Sequence, residues 1–129
     1  ERWHHQAQIR VAVAAPLLDQ REWLRPVFEL SLRACARAFA SAPAVAGRAL
    51  RLDIEGEAGG TWSLVAEALG WRVYRGTHER PTAWARCSAD TAWRLFFNAL
   101  PAHEARARLS AQGDPELLDC LLALRGVMV

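Results

Sequence analysis

Glu1 and His5 stand four positions apart at the start of the chain. On an α-helix that spacing turns both side chains to one face, about one turn apart. A carboxylate and an imidazole so placed can supply two ligands to one zinc-type ion, with a third needed from elsewhere. The same pair also suits an exposed helix surface, where an i,i+4 contact is worth about a few tenths of a kcal/mol. His4 points about a quarter-turn away and is not read as a ligand. The chain enters this helix with no start Met, no cap and no preceding loop, so it is expected to be a piece cut within a helix whose earlier partners lie upstream.

Other side chains with chemical potential lie further along. Arg106 and Arg108 are candidates to hold a carboxylate-bearing substrate through bidentate bonds, although a solvated helix and strand surface is the favoured reading for both. Of the Trp residues, Trp23, Trp71 and Trp93 sit in apolar stripes, while Trp62 and Trp84 are expected to line whatever space the sheet and helices enclose. His78-Glu79-Arg80 precedes Pro81 and reads as a solvated turn. Cys35, Cys87 and Cys120 are far apart and form no CxxC pair. They argue against a disulfide framework and a cysteine-based zinc site, and point to core positions and a reducing, cytoplasmic setting.

The elements that must position these residues follow from periodicity. Residues 1 to about 14 read as the end of a helix stopped near Pro16, and Leu17 to Gln20 as a linker. Trp23, Leu24, Val27, Phe28, Leu32, Cys35 and Phe39 recur at helical spacing, which predicts one amphipathic helix from Arg21 to about Ala40. Leu50, Leu52 and Ile54 then alternate with Arg51, Asp53 and Glu55, the signature of a half-buried strand. Gly59-Gly60 turn the chain into a second strand over residues 61–66. Trp71 to Arg75 and Thr82 to Cys87 supply two more, and short Gly-bearing turns suggest an antiparallel meander. Asp90 is the expected N-cap of a helix carrying Trp93, Phe96, Phe97 and Leu100. A short helix from Pro101, a possible fifth strand near residues 108–111, and a Leu-rich helix opened by Asp114-Pro115 complete the pattern. The fold class is α+β: a four- to five-stranded, mainly antiparallel sheet with helices on one face, preceded by one helix.

Two stretches resemble a known family. Glu1-Arg2-Trp3-His4-His5-Gln6-Ala7-Gln8-Ile9-Arg10 is similar to the ERWxHQxxIR segment of mycothiol-dependent maleylpyruvate isomerase-type proteins. Asp90 to Phe96, then Gly113-Asp114-Pro115 and the closing helix to Val127-Met128-Val129, resemble their C-terminal domain, and Gly59-Gly60-Thr61-Trp62 and Gly70-Trp71 also fit. The resemblance implies that residues 1–16 are the last helix of an otherwise missing DinB-like four-helix bundle. Residues 17–129 would be a sterol-carrier-protein-2-like (SCP2-like) domain. It further implies zinc or another divalent metal on Glu1 and His5, the third ligand being a His absent from this chain. Ala7-Gln8 departs from the Gln-Asp frequent in the family and alters polar contacts beside the ligands. The implied chemistry is thiol addition to a small carboxylate substrate, cis–trans isomerisation or thiol transfer, with mycothiol as cofactor and its thiolate favoured by the metal. This chain alone would then hold no cofactor and be inactive.

Composition bounds the alternatives. A chain of 129 residues with 52% hydrophobic content can bury one core. All sixteen basic residues are Arg, a bias of GC-rich, actinobacterial-type genomes, and the net charge is only +2. No block of like charge implies nucleic acid, and the longest apolar run, Val11 to Leu18, is too short to span a bilayer. Beside the enzyme stand two other functions: a non-catalytic sterol-carrier-like domain that binds a lipid or small molecule, and an accessory domain that packs on the bundle or on a second copy of the chain.

Overall fold

The computed structural model describes residues 2–78 and 80–126. Glu1, Glu79 and Val127-Met128-Val129 lie outside the described residues.

The alternation at residues 50–54 forms β1 (Ala49–Ile54), the middle strand of a five-stranded sheet. Its partners are β2 (Gly60–Glu67), β3 (Gly70–Arg75), β4 (Ala83–Cys87) and β5 (Ser110–Gly113), in the order β3-β2-β1-β4-β5. Leu50, Leu52 and Ile54 point to one face, joined there by Trp62, Leu64 and Trp71 from β2 and β3 and by Ala83, Ala85 and Cys87 from β4. Full burial of each leucine contributes about 1.5–3 kcal/mol.

The helices close over that face. They are α1 (Arg2–Ala12), α2 (Arg21–Leu32), the single-turn α3 (Cys35–Ala38), α4 (Ala89–Phe96), α5 (Ala102–Arg108) and α6 (Pro115–Ala123). Phe28 of α2 meets Trp62 edge-on at 6.5 Å and Phe96 of α4 at 6.3 Å, so one aromatic side chain joins sheet, α2 and α4. Leu117 and Leu121 of α6 fill the remaining core.

The α+β class with helices on one face stands, but the meander ends after β3. β4 pairs in parallel with β1, Leu50 opposite Ala83 and Ile54 opposite Cys87, while the other three pairings are antiparallel. Residues 76–82 therefore cross the sheet instead of turning back beside β3. The single helix expected to Ala40 is also broken. The Arg33 and Ala34 N–H groups bond three residues back, to Leu30 and Ser31, and this tighter turn lets Cys35 and Phe39 face the sheet. Phe39 reaches Trp71 at 5.1 Å, so tertiary packing overrides the local period. The N-cap of α4 is Ser88, whose hydroxyl accepts from Thr91 N at 3.1 Å. Asp90 instead sits in the first turn and accepts from Trp93 Nε1 and Arg94 Nε.

Asp114 caps α6 with Pro115 in the first turn, as its sequence signals. Gly113 before it has φ +100°, and a Cβ there would lie 2.4 Å from Thr82 O, so β5 must end on glycine. Arg48 clamps this corner: it donates to Asp114 Oδ2 from Nη2 at 2.7 Å and Nε at 3.2 Å, and to Pro43 O from Nη1. Those bonds from Arg48 hold the Asp114 carboxyl below the ordinary carboxylate range. A depressed carboxylate stabilises the fold above its unfolded pKa of about 3.9, and that contribution fades as pH falls through the folded value. Asp114→Asn, which keeps a capping oxygen, is expected to flatten stability against pH below about pH 4, and Asp114→Ala to cost about 1 kcal/mol more through the lost cap. Urea melts across that range check both; a parallel acid limb in wild type and Asp114→Asn would show that the clamp carries no such linkage.

Candidate functional site

α1 is anchored by its first turns. Trp3 is 9% exposed, crosses Trp93 edge-on at 5.2 Å, stacks near Phe97 at 6.2 Å and donates Nε1 to Leu18 O at 2.7 Å. Ala7, one turn on, is buried with it. Trp3 is thus covered by α4 and the linker. Ile9, Val11 and Val13 remain exposed. His5 is exposed too, and helical spacing sets it in line with Ile9 and Val13 on a face turned away from Trp3 and Ala7. His4 lies between these faces, stacked on Phe97 at 4.3 Å with its pKa lowered by burial and by the neighbouring His5.

Of the two expected metal ligands, Glu1 lies outside the described residues and His5 is an exposed residue of α1. Among the described residues no group of three His, Cys, Asp or Glu side chains could hold a metal ion. The donors described here do not make a metal centre by themselves.

A groove of about 610 Å³ opens where the N-terminal half of α2 meets the β1–β2 turn and the end of β3. Arg21, Arg25, Pro26 and Glu29 of α2 form one wall, and Glu57 and Arg75 the other. Arg75 pairs with Glu29 across it. Arg25 turns inward: its guanidinium donates to Gly59 O and lies 5.7 Å over the Trp62 ring. Its close approach needs Gly60, where a Cβ would come within 2.7 Å of Nη2. Arg25 Nε is buried with no hydrogen-bond partner, an unmet donor at the boundary between groove and core. Nothing in the local pattern singles out Arg25; the only hint is a charged residue beside Leu24 and Phe28, near the apolar face of α2.

The remaining candidates are dispersed. Arg106 is exposed and paired with Asp119 of α6. Arg108 ends α5, two residues on and so on a different side of the helix. Trp62 is in the core beneath Arg25, whereas Trp84 has the opposite strand parity and lies on the helix-free face. All three cysteines are buried free thiols. Burial and the charge of Glu55 push the Cys87 thiol up to about 12, and burial raises Cys35, so neither is an activated nucleophile. His78 bonds through its backbone N–H to Ser63 Oγ, within the crossover.

Solved SCP2 domains share this architecture. Sterol carrier protein 2-like 2 from Aedes aegypti superposes with a TM-score of 0.56 at 15% identity, covering 76% of this chain and 95% of that one. Sterol carrier protein 2 from Yarrowia lipolytica, in its apo form, gives 0.52 at 15% identity over 84% and 95%. The sterol carrier protein domain 2 of Helicoverpa armigera gives 0.51 at 17% over 81% and 87%. At these identities the likeness is one of fold. No family model and no curated protein matches the chain significantly.

The anchoring of α1 has a measurable consequence. An isolated helix of this length is marginal in water, so α1 depends on its docking. Trp3→Ala, removing about 3–5 kcal/mol of burial, is expected to free residues 2–12 for fast amide exchange while the sheet stays protected. Unchanged protection of α1 in that variant would show that Trp3 is not the anchor.

Proposed function

We propose that the chain is a small-molecule-binding domain of SCP2-like architecture, taking an amphiphilic ligand in the groove beside α2 without performing chemistry on it. The position of Arg25 carries this reading. It lines the groove on one side and covers Trp62 on the other, so a movement of this one side chain would connect a polar opening with the aromatic core of Trp62 and Phe28. A ligand's polar end would take Arg25's donors, including the unmet Nε, and its apolar part would replace the arginine stem over Trp62. The groove's volume lies within the usual range for small ligands, roughly 300–1,000 Å³. The fold likeness to sterol carrier domains supports the same reading.

A fluorescent long-chain fatty acid is expected to bind saturably and to be displaced by unlabelled acid. Arg25→Met, which keeps the stem and loses the charged hydrogen bonds, should weaken the acid by about tenfold and leave its methyl ester little changed. Absence of saturable binding, or equal affinity in Arg25→Met, would sink this assignment.

α1 favours a second reading for a longer protein. The helix is fixed to this domain through Trp3 and Ala7 while His5, Ile9 and Val13 face outward, an arrangement suited to a helix shared with another body. That body would be a DinB-like bundle, or else a second copy of the chain, covering the apolar stripe. With an upstream His completing Glu1 and His5, such a protein would be a zinc- and mycothiol-dependent isomerase or thiol transferase on a small carboxylate substrate. The present chain alone is expected to hold zinc weakly, and a longer chain carrying that His to retain one equivalent that is lost on His5→Ala. Elemental analysis of both decides; tight zinc in the short chain, or retention after His5→Ala, refutes the ligand set.

A further inference from the structure

The helix-free face of the sheet is organised beyond what a solvated surface requires. Across the parallel β1–β4 pair Arg51 stands beside Trp84 and Asp53 beside Arg86, with Thr61 of β2 next to Asp53 and Gln112 of β5 next to Trp84. Asp53 is 8% exposed although it points to this face. It accepts from Trp84 Nε1 at 3.0 Å, Thr61 Oγ1 at 2.8 Å and Arg51 Nε at 3.1 Å. Burial alone would raise its carboxyl, but these three bonds and the Arg51 charge more than offset that and hold it below the ordinary range.

The consequence is directional. The indole N–H is tied inward, which fixes the orientation of a half-buried ring. Arg51 uses Nε on Asp53, leaving its Nη edge for another acceptor, and that edge matches a planar carboxylate. Arg86 lies 5.3 Å from the centre of the Trp84 ring, a second cation at the same plate. These side chains and Gln112 line a groove of about 580 Å³ walled on one side by Pro81 of the crossover. Two guanidiniums against one carboxylate leave the groove one positive charge, beside an aromatic surface.

We infer that this face carries a second site, independent of the groove beside α2, for a small planar aromatic anion. Its ring stacks at Trp84 and its carboxylate takes the Nη edge of Arg51 and the guanidinium of Arg86. Asp53 is the positioning residue: it touches no ligand and sets the directions of Arg51 and Trp84.

Benzoate is the probe, followed by amide chemical shifts on the chain. Saturable shifts on β1, β4 and β5, and not on α2, are expected. Arg51→Gln and Trp84→Leu should each weaken benzoate by about tenfold, and Trp84→Phe, which keeps a ring, by less than Trp84→Leu. Asp53→Asn tests positioning: benzoate should weaken while the fatty-acid probe of the other groove keeps its affinity. Unchanged amide spectra far from each substitution establish that the variants fold. Cyclohexanecarboxylate, an acid without a flat ring, should bind about tenfold more weakly. The site is overturned by absence of saturable shifts at millimolar benzoate, by equal binding of cyclohexanecarboxylate, by displacement with equimolar phosphate, or by indifference to Arg51→Gln and Trp84→Leu.

Discussion

β3 and β4 both run parallel to β1 but on opposite sides of it, and the chain between them has to cross the sheet. Residues 76–82 pass over β2 and β1, three interstrand spacings from β3 to β4 or roughly 14 Å, and return toward the start of β1. They do so on the helix-free face. Ser63 there donates to Gly76 O at 2.7 Å and accepts from His78 N at 2.8 Å, pinning the first half of the crossing. Thr82 ends it by accepting from Ala49 N, and its own N–H bonds Ala49 O. Asp114 N then bonds Thr82 O, so β5 and the start of α6 are hung on the same point. With this face partly occupied by chain, the helices gather on the other, and β4 has an inner position from which β5 can extend the sheet.

The two faces use arginine in a common way. Arg25, Arg48 and Arg51 each commit part of a guanidinium to a fixed acceptor: Gly59 O, the Asp114 carboxylate and the Asp53 carboxylate. A lysine ammonium would follow its acceptor without a fixed plane, whereas a guanidinium held at one edge presents its other donors in a set direction. A chain whose basic residues are all Arg is thus equipped to build oriented cation sites on modest frames. The fold below them is ordinary by comparison, shared with sterol carrier domains at identities that leave these positions free to differ.

What the sequence discloses here is local. Period-two alternation marks β1, Asp114-Pro115 marks the start of α6, and the Trp93–Phe96–Phe97 stripe marks α4, because each depends on neighbours within a turn or a strand. The partner of β4 is not disclosed, since a Gly- and Pro-bearing connection reads the same whether it folds back or crosses over. The break after Leu32 depends on Phe39 meeting Trp71, and the covering of Trp3 on Trp93 and Phe97, which local periodicity cannot pair with it. Asp53 could have been noticed. It is a poor strand former placed in the middle of a strand, and such a residue calls for hydrogen-bonding partners. The Glu1–His5 spacing was legible as a possibility, and His5 does lie on an exposed helix face.

The crossover also orders the events of folding. β1, β2 and β3 are joined by tight turns and can zip together locally, whereas the β1–β4 ladder pairs Leu50 with Ala83 and must close the whole intervening segment. Until the chain is laid across the face, β4 has no slot, β5 has no neighbour, and α4 and α6, which flank these strands in the chain, have no complete surface to settle on. Loop closure over so long a segment is expected to place the β1–β4 pairing after the β1–β2–β3 hairpins. Trp84, whose indole donates to Asp53 of β1, ties those two strands together across the joint that the crossover creates.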